Sequence, residues 1–249
     1  MPTVLITGCS SGFGLEAARL FLDRGWSVVA TMRKPQPDVL PISERLHVVA
    51  LDITDPASIA HTVSEAGPID VLVNNAGFGA PIPVELTPLE TARALFETNT
   101  LGTLAMTQAV LPQFRERRAG VVVNVTSTVT LKPLPLVGVY RASKAAVNAF
   151  TESLAAEVGP FGIRVCLVLP GRSPETRFSA NARKHLHGMD HPAYAPLFER
   201  VLAGFQDTSG PITRAPDVAE AIWRAATDPQ TPMRIAAGAD AEQWMAEVG

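Results

Sequence analysis

The chain has 249 residues, of which 47% are hydrophobic and 18% are charged. This composition supplies a large apolar core, and the length suits a single α/β domain spanning residues 1–249. The formal net charge is -3 and no basic stripe runs along the sequence, which argues against nucleic acid as the main partner. No apolar run reaches the ~20 residues that a membrane-spanning helix needs. We also find no export signal, so we expect a cytoplasmic protein without a membrane partner.

The cysteines and histidines are possible metal ligands, and their spacing does not indicate a metal site. Cys9 and Cys166 are far apart and have no metal-like spacing. A disulfide between them stays open at this stage, but a reduced protein is the simpler interpretation. His185, His187 and His191 cluster late in the chain, yet their spacing fits no tetrahedral site and no cysteine joins them. We therefore predict no metal, and we interpret the histidines as part of a surface loop.

Short apolar runs alternate with amphipathic stretches along the whole chain. The apolar runs predict buried strands at 4–6, 27–31, 47–51, 71–73, 121–125 and 165–169, with a last strand at 234–237. The amphipathic stretches predict helices at 15–24, 56–65, 88–117, 142–159 and 215–227. This alternation predicts an α/β protein: a mostly parallel, doubly wound sheet of the Rossmann type with helices on both faces.

Two connections depart from this alternation. Three prolines in 33–44 predict a crossover with little or no regular helix. The longest irregular region follows Pro170 and contains only one candidate helix, near 193–205. Because a long insertion after a strand end commonly covers a binding site, we predict a substrate lid at 172–216.

A glycine-rich loop joins the first predicted strand to the first helix. Glycines there let the backbone approach a pyrophosphate, and the helix start directs free N–H groups and its positive dipole end at phosphates. A tight strand-to-helix turn without a ligand is the alternative, but the setting at the end of a strand favours dinucleotide binding. The candidate residues are Gly8, Ser10, Ser11, Gly12, Phe13 and Gly14.

Four short motifs occur in one order along nearly the whole chain. They are Thr7-Gly8-Cys9-Ser10-Ser11-Gly12-Phe13-Gly14, Asn74-Asn75-Ala76-Gly77, Tyr140-Arg141-Ala142-Ser143-Lys144 and Pro170-Gly171. Together they resemble the short-chain dehydrogenase/reductase family. The glycine loop and the run 30–33 resemble its carbonyl reductases and its steroid- and retinol-type dehydrogenases. The resemblance implies a nicotinamide dinucleotide and a substrate that carries a carbonyl or an alcohol.

The end of the second strand decides which nicotinamide cofactor is expected. An acid there would bind the free 2′-hydroxyl of NAD(H), but this chain has Arg33 and Lys34 instead. Arg33 can clamp a 2′-phosphate with two parallel hydrogen bonds, and Lys34 adds charge, so we prefer NADP(H) over NAD(H). The alternative is that the pair only solubilises a loop.

The resemblance also implies further cofactor contacts. Asp52 and Ile53 match the position that holds the adenine, although Asp52 could instead belong to the turn before the next helix, where Thr54 or Asp55 is the better cap. The other matched residues are Asn75, Ala76 and Gly77 along the adenosine, Pro170 and Gly171 beside the nicotinamide, and Thr176 for its carboxamide. Ser173 is the fallback for Thr176.

Tyr140 and Lys144 lie four residues apart in a helical stretch and so share one face. A nearby ammonium, together with the charge of the oxidised nicotinamide, is expected to lower the pKa of Tyr140 from about 10 and make it a proton shuttle. Both residues would also contact the cofactor. Ser127, chosen over Thr126 and Thr128 by spacing, matches the serine that polarises the substrate oxygen. Asn99 matches the asparagine that kinks the central helix and holds a water of the proton relay.

These residues predict an NADP(H)-dependent oxidoreductase that interconverts a ketone or aldehyde with an alcohol. Apolar residues before Tyr140 and in the lid predict a small hydrophobic substrate, with Leu134, Leu136, Val137, Met189, Tyr194, Leu197 and Phe198 as wall candidates. The alternatives are a non-redox relative, such as a dehalogenase or lyase, and a regulator that binds the dinucleotide without turnover. As in the family, we expect a homodimer or homotetramer.

Overall fold

The computed structural model describes residues 1–174, 176, 181–182, 185–207 and 209–248. Within these ranges, seven strands form one sheet. Their bounds are β1 Thr3–Thr7, β2 Ser27–Met32, β3 Leu46–Ala50, β4 Val71–Asn74, β5 Gly120–Val125, β6 Ile163–Pro170 and β7 Arg234–Ala237. The strand order is β3-β2-β1-β4-β5-β6-β7, and every neighbouring pair is parallel. The predicted doubly wound parallel sheet is confirmed.

Helices cover both faces of this sheet. They are α1 Gly12–Asp23, α2 Pro56–Ala66, α3 Leu89–Phe96, α4 Thr103–Arg117, α5 Gly138–Val158, α6 Ala195–Gln206, α7 Ala215–Thr227 and α8 Ala239–Val248. A π-helical segment, Glu97–Gly102, joins α3 to α4, and single 3-10 turns lie at Pro37–Val39, Val84–Leu86, Thr128–Thr130 and Gly159–Phe161. The 3-10 turn at Pro37–Val39 agrees with the predicted helix-poor crossover.

The apolar core has two halves, one on each face of the sheet. On one face α1 and α7 bury side chains such as Phe21 and Ile222 against the strands. On the other face α2, α4 and α5 pack around Met106, Val110 and Phe114. Because both faces are covered, the strands are apolar throughout instead of alternating. Their carboxyl ends then form the one sheet edge where loops can carry polar groups.

Three elements differ from the predicted ones. The predicted helix 88–117 is interrupted by the π-helical segment. Such turns occur as single insertions inside α-helices, so a helical pattern alone does not predict them. Helix α5 begins at Gly138, four residues earlier than predicted, which brings Tyr140 into its first turn. Helix α8 was not predicted; only two of its residues, Asp240 and Ala241, are buried, so it has little of the apolar pattern that marks a helix.

Candidate active site

The glycine loop lies between β1 and α1, beside the end of β4. The strand order reverses between β1 and β4, and ligands of open α/β sheets bind outside such a switch point. Gly8 has a φ of +78°, and a Cβ there would lie 2.9 Å from the Cα of Ala76. A Cβ on Gly14 would lie 2.5 Å from the carbonyl oxygen of Gly8. Both positions therefore need glycine for the loop to close.

Asn75 holds the glycine loop by its side chain, which the sequence did not predict. Its Nδ2 donates to the carbonyl oxygens of Thr7 at 2.9 Å and Gly8 at 3.2 Å. In return the Thr7 hydroxyl accepts from the backbone N–H groups of Asn75 at 2.9 Å and Ala76 at 3.0 Å. The ends of β1 and β4 are thus locked together, and the loop keeps one shape.

The start of α1 has the properties of an anion site. Among the described residues, none caps this end: the side chain of Ser11 accepts no hydrogen bond from the first turn. Gly12 has a φ of +62°, and its nearest neighbour is Thr176, whose Cβ would lie 3.8 Å from a Cβ built on Gly12. Ser10 and Phe13 are half-buried beside it. The open N–H groups and the helix dipole fit the phosphates of a dinucleotide.

The end of β2 leaves Arg33 and Lys34 exposed. Asp52 lies nearby, and its carboxylate accepts from the backbone N–H of Thr54 at 2.9 Å and from the Thr54 hydroxyl at 2.7 Å. These bonds, and to a smaller extent the charge of Arg33, lower the pKa of Asp52. Asp55, not Asp52, caps α2 by accepting from Ala57. Hydrogen bonds thus favour the ionised form of Asp52, and its carboxylate does not cap the helix.

Ile53, the neighbour of Asp52, is buried and packs against the π-helical segment. A Cβ on Gly102 would lie 2.9 Å from the side chain of Ile53. Its side chain thus serves the core, so a contact with an adenine would have to come from its backbone.

Ser127 and Tyr140 come together at the end of β5. Both side chains are buried, and their hydroxyls are hydrogen-bonded to each other. Ser127 also accepts from the backbone N–H of Val129 at 3.3 Å, so its own proton is available for donation. The competing hydroxyl residues Thr126 and Thr128 are buried as well. The structure thus pairs the phenol with the serine selected by spacing.

Burial dominates the protonation of Tyr140. It raises the pKa of the phenol to about 12, while the hydrogen bond with Ser127 acts in the opposite direction. In the chain without cofactor, the cost of burying a phenolate outweighs the helpful contacts, so the lowering expected with a bound oxidised nicotinamide stays a prediction. At neutral pH Tyr140 is a neutral phenol, which is the form that donates a proton.

Lys144 is buried one turn after Tyr140, with only 5% of its surface exposed. Its Nζ donates to the carbonyl oxygen of Val125 at 3.0 Å. Burial lowers the pKa of Lys144 to about 8. At pH 7 the ammonium form still prevails, in a low-dielectric setting where its charge acts strongly on neighbouring groups.

Asn99 occupies the π-helical segment and connects three parts of the site. Its Oδ1 accepts from the backbone N–H of Phe78 at 3.0 Å, and its Nδ2 donates to the Phe78 carbonyl at 2.9 Å. Nδ2 also lies 3.0 Å from the hydroxyl of Ser143. A Cβ on Gly77 would lie 2.8 Å from Asn99 Oδ1 and 3.4 Å from Lys144 Nζ. Gly77, Asn99 and Lys144 are therefore neighbours.

The segment after β6 reaches back to the glycine loop. Pro170 ends β6, and Gly171 donates its N–H to the Thr213 hydroxyl at 2.9 Å. Farther along, Thr176 lies beside Gly12 and its hydroxyl donates to the Ser173 carbonyl at 3.1 Å. Ser173 is buried beneath it. Thr176 rather than Ser173 therefore lies on the side of the glycine loop.

An apolar group surrounds the ring of Tyr140. Its buried members are Ala80, Ile82 and Leu95, with Val137 and others packed against them. Leu136 holds a φ of +65°, and its carbonyl accepts from Ile82 at 2.7 Å. This strained residue ties the loop before α5 to the segment after β4.

The described part of the predicted lid touches the same region. Tyr194 hydrogen-bonds Glu85, and the ring of His185 lies 4.8 Å from that of Phe78. Phe198 is fully buried, whereas Met189 is exposed. Within the ranges that the structure describes, no group of three His, Cys, Asp or Glu residues could hold a metal ion.

The comparisons with known proteins agree with this geometry. The family model for short chain dehydrogenase matches residues 2–187. The uncharacterized oxidoreductase YusZ of Bacillus subtilis is 35% identical, with 90% of this chain and 84% of YusZ covered. Retinol dehydrogenase 8 of Bos taurus is also 35% identical, with 93% and 80% covered. The chain therefore belongs to the short-chain dehydrogenase family, which is a family of oxidoreductases that bind nicotinamide dinucleotides.

One solved relative is similar over nearly the whole chain. It is a short chain dehydrogenase from Burkholderia cenocepacia J2315 in complex with NADP, which superposes with a TM-score of 0.79 at 28% identity. The superposition covers 99% of this chain and 91% of that one. In the portion of the present chain that the structure describes, no helix is both long and apolar enough to span a membrane.

Proposed function

We propose that the chain is an NADP(H)-dependent enzyme that interconverts a ketone or an aldehyde with the corresponding alcohol. The observation that carries the proposal is the hydrogen bond between Ser127 and Tyr140 at a buried position, one helical turn from Lys144. A phenol that keeps its proton at neutral pH, next to a second hydroxyl donor, is suited to a substrate oxygen that gains negative charge. The family membership supports the same chemistry.

Each side chain of this group has a defined task. When bound, NADPH supplies the hydride for the carbonyl carbon. Tyr140 donates the proton at its Oη to the carbonyl oxygen, and in the reverse direction it accepts the proton of the alcohol. Ser127 donates a hydrogen bond to the same oxygen. Lys144 stabilises the phenolate that remains after the donation, since an ammonium in a low-dielectric site favours the anion.

Asn99 supports this group from behind. Its side chain amide is fully used by Phe78 and Ser143, so it holds the segment after Gly77 against α5. We propose that its role in the reaction is to keep Lys144 and the loop at Gly77 in register. The side chain of Asn99 is occupied by these bonds. The water that the resemblance implies would then be held by a backbone group of the π-helical segment.

The preference for NADP(H) over NAD(H) follows from the end of β2. The residues directly after Met32 are Arg33 and Lys34 instead of a carboxylate, and both are exposed where they can meet a 2′-phosphate. The NADP bound to the Burkholderia cenocepacia relative supports the same choice. The glycine loop, Asp52, Asn75–Gly77 and the turn at Pro170 would hold the remainder of the molecule.

The proposed substrate is a small hydrophobic carbonyl compound. The residues packed against the ring of Tyr140 are apolar. An apolar wall with a few hydroxyl donors selects for an uncharged ketone or aldehyde. The named substrate of the retinol dehydrogenase relative is likewise an apolar alcohol.

We propose that this single domain works as a homodimer or homotetramer in the cytoplasm. Leu89, Phe96 and Leu101 lie exposed along α3 and the π-helical segment, where a second copy would cover them. Cys9 and Cys166 are buried free thiols, which suits a reducing compartment. Light scattering on the purified protein should give two or four times the chain mass of 26.5 kDa. A monomeric mass would refute the assembly.

The reaction itself is tested by mixing the protein with NADPH and a panel of aryl and alkyl ketones and aldehydes. The absorbance of the reduced nicotinamide should fall with at least one carbonyl, and more slowly when NADH replaces NADPH. NADPH binding without consumption on any member of the panel would refute the reductase and favour a regulator. Consumption at equal efficiency with NADH would refute the cofactor preference.

A further inference from the structure

A buried carboxylate lies behind the turn that follows β6. Asp240, at the start of α8, has only 8% of its surface exposed. Its Oδ2 accepts from the backbone N–H of Arg172 at 2.6 Å, and its Oδ1 accepts from the hydroxyl of Thr213 at 2.6 Å. Burying a carboxylate is costly unless hydrogen bonds replace the lost water. Both oxygens of Asp240 are used for this purpose, and one of them holds the turn directly.

Thr213 holds the same turn from a second side. Its hydroxyl accepts from the backbone N–H of Gly171 at 2.9 Å, and its own N–H donates to the carbonyl oxygen of Arg172 at 2.9 Å. A Cβ on Gly171 would overlap the carboxylate of Asp240. Glycine is therefore needed at 171 so that the carboxylate can come close to the backbone. The backbone N–H groups of Gly171 and Arg172 are thus held by Thr213 and Asp240, which both come later in the chain.

The turn lies between the reacting centre and the phosphate loop. It follows β6, and β6 holds the end of β5 through the bond from Thr126 N to Val168 O at 2.8 Å, one residue before Ser127. On its other side the chain continues to Thr176 beside Gly12. A displacement of this turn would therefore change the part of the site that lies between the phosphate loop and the reacting centre.

The side chain of Arg172 extends the same connection to the lid. Its Nη1 donates to the carbonyl oxygen of Gly204 at 2.5 Å, at the C-terminal end of α6. A cation at that end also interacts favourably with the helix dipole. The backbone that Asp240 fixes is thus the backbone from which Arg172 reaches the last turn of the lid helix.

We propose that Asp240 is a positioning residue for the nicotinamide end of the cofactor site, acting through the Arg172 N–H and the Thr213 hydroxyl. This inference rests on the proposed function, since it assigns the turn at Gly171 to the nicotinamide side. Asp240 does not touch the reacting atoms. Its two hydrogen bonds would keep the turn in place relative to Ser127 when a dinucleotide binds.

The variant D240N keeps the shape of the side chain but replaces one acceptor oxygen by a donor. The matched control is E242Q, which makes the same change of charge at an exposed residue of the same helix. Hydrogen–deuterium exchange of peptides containing Gly171 and Arg172, measured without cofactor, should be faster in D240N and unchanged in E242Q. Affinity for NADPH should fall roughly tenfold in D240N, the loss expected for one charged hydrogen bond.

Adenosine 2′,5′-bisphosphate separates a local role from a general one, because it lacks the nicotinamide. D240N should bind this fragment within about twofold of the wild type, although its affinity for NADPH falls by the larger factor given above. Equal losses for the fragment and for NADPH, or a D240N protein that behaves like E242Q, would overturn the inference.

A second pair guards against misfolding of D240N. T213S keeps the hydroxyl that bridges Gly171 and Asp240, and T213V removes it. T213V should show the same selective loss of NADPH affinity, and T213S should restore it; identical behaviour of the two variants would overturn the inference. Failure of the proposed function is recognised separately, since the wild-type protein itself would then consume no carbonyl compound with NADPH. The positioning role would fall with it if the wild type also bound no NADPH.

Discussion

The two ends of the proposed cofactor site are built in different ways. At the reacting end, Ser127, Tyr140 and Lys144 are buried, and each has at least one hydrogen bond that fixes it. At the adenosine end, Arg33 and Lys34 are exposed loop residues beyond the last residue of β2. The reacting end is therefore preorganised by burial and hydrogen bonds, whereas the adenosine end consists of two solvent-exposed cations.

This difference separates chemistry from cofactor choice. Groups that act on developing charge work best when water is excluded and their orientation is fixed in advance. A 2′-phosphate needs only charge and a fork of donors, which an exposed arginine provides. Substitutions at the reacting end should therefore change activity, and those at Lys144 also stability, whereas substitutions at the adenosine end should change cofactor binding with little effect on stability.

The largest expected effect is that of Y140F. Loss of the phenol removes the proton donor, so kcat should fall by about 10²–10⁴-fold. NADPH affinity should stay close to that of the wild type, which fluorescence titration can measure. The chain has one other tyrosine, Tyr194, so Y194F is the matched control and should keep most of the activity. Full activity of Y140F would contradict the assigned proton donor.

The next largest effect is expected for K144M, which should make the protein more stable and less active. Methionine removes an ammonium that is costly to bury, so at pH 7 the free energy of unfolding should rise by about 1–3 kcal/mol. The reductase activity should fall at the same time. Denaturant unfolding and the NADPH assay measure the two quantities. A K144M protein that is inactive and also less stable than the wild type would contradict this account.

The pH dependence of stability in the wild type and in K144M tests the burial of Lys144 in a second way. Since burial lowers the pKa of Lys144 from 10.5 to about 8, the folded protein binds fewer protons than the unfolded chain between these values. Stability of the wild type should therefore gain, relative to K144M, as the pH rises from about 8 to 10.5. Parallel curves for the two proteins would show that Lys144 is not buried as an ammonium.

A smaller and purely selective effect is expected for R33A. Loss of the arginine should weaken NADPH binding by about 10–100-fold, the value of one or two charged hydrogen bonds. Binding of NADH and the melting temperature should not change, because Arg33 is exposed. Arg19, another exposed arginine, provides the control variant R19A. A loss of NADH binding equal to that of NADPH would remove the basis for the cofactor preference.

The smallest effect separates two neighbouring acids. Asp55 caps α2, so D55A should lower the free energy of unfolding by about 1 kcal/mol and leave cofactor affinity unchanged. D52N should do the reverse, with weaker NADPH binding and a smaller change in stability. Chemical denaturation and cofactor titration on both variants measure this. If D52N proved the more destabilising variant and bound cofactor normally, Asp52 would be a structural residue.

Local features of the chain could be predicted from the sequence because their meaning depends on near neighbours. The glycine loop comes directly after a strand and directly before a helix. Tyr140 and Lys144 are four residues apart in a helix and therefore share one face. The sheet followed from apolar runs of strand length. Even the proline-rich crossover was predictable, because proline restricts the backbone wherever it occurs.

The contacts that hold the site together could not be predicted in the same way. Asn75 and Thr7 are 68 positions apart, and Asp240 and Arg172 are also 68 apart. Such pairs meet only after the sheet has formed, and an asparagine or aspartate alone does not reveal its partner. The raised pKa of Tyr140 escaped prediction for a related reason, since burial is a property of the whole fold.

The most direct test of the account follows the hydride itself. NADPH with deuterium in place of both hydrogens on the transferring carbon is incubated with the wild-type protein and a carbonyl compound that it consumes, and the product is analysed by mass spectrometry. We expect an alcohol with one deuterium on its carbinol carbon, formed by the wild type and Y194F but not by Y140F. Consumption of NADPH without deuterium in the product would contradict it.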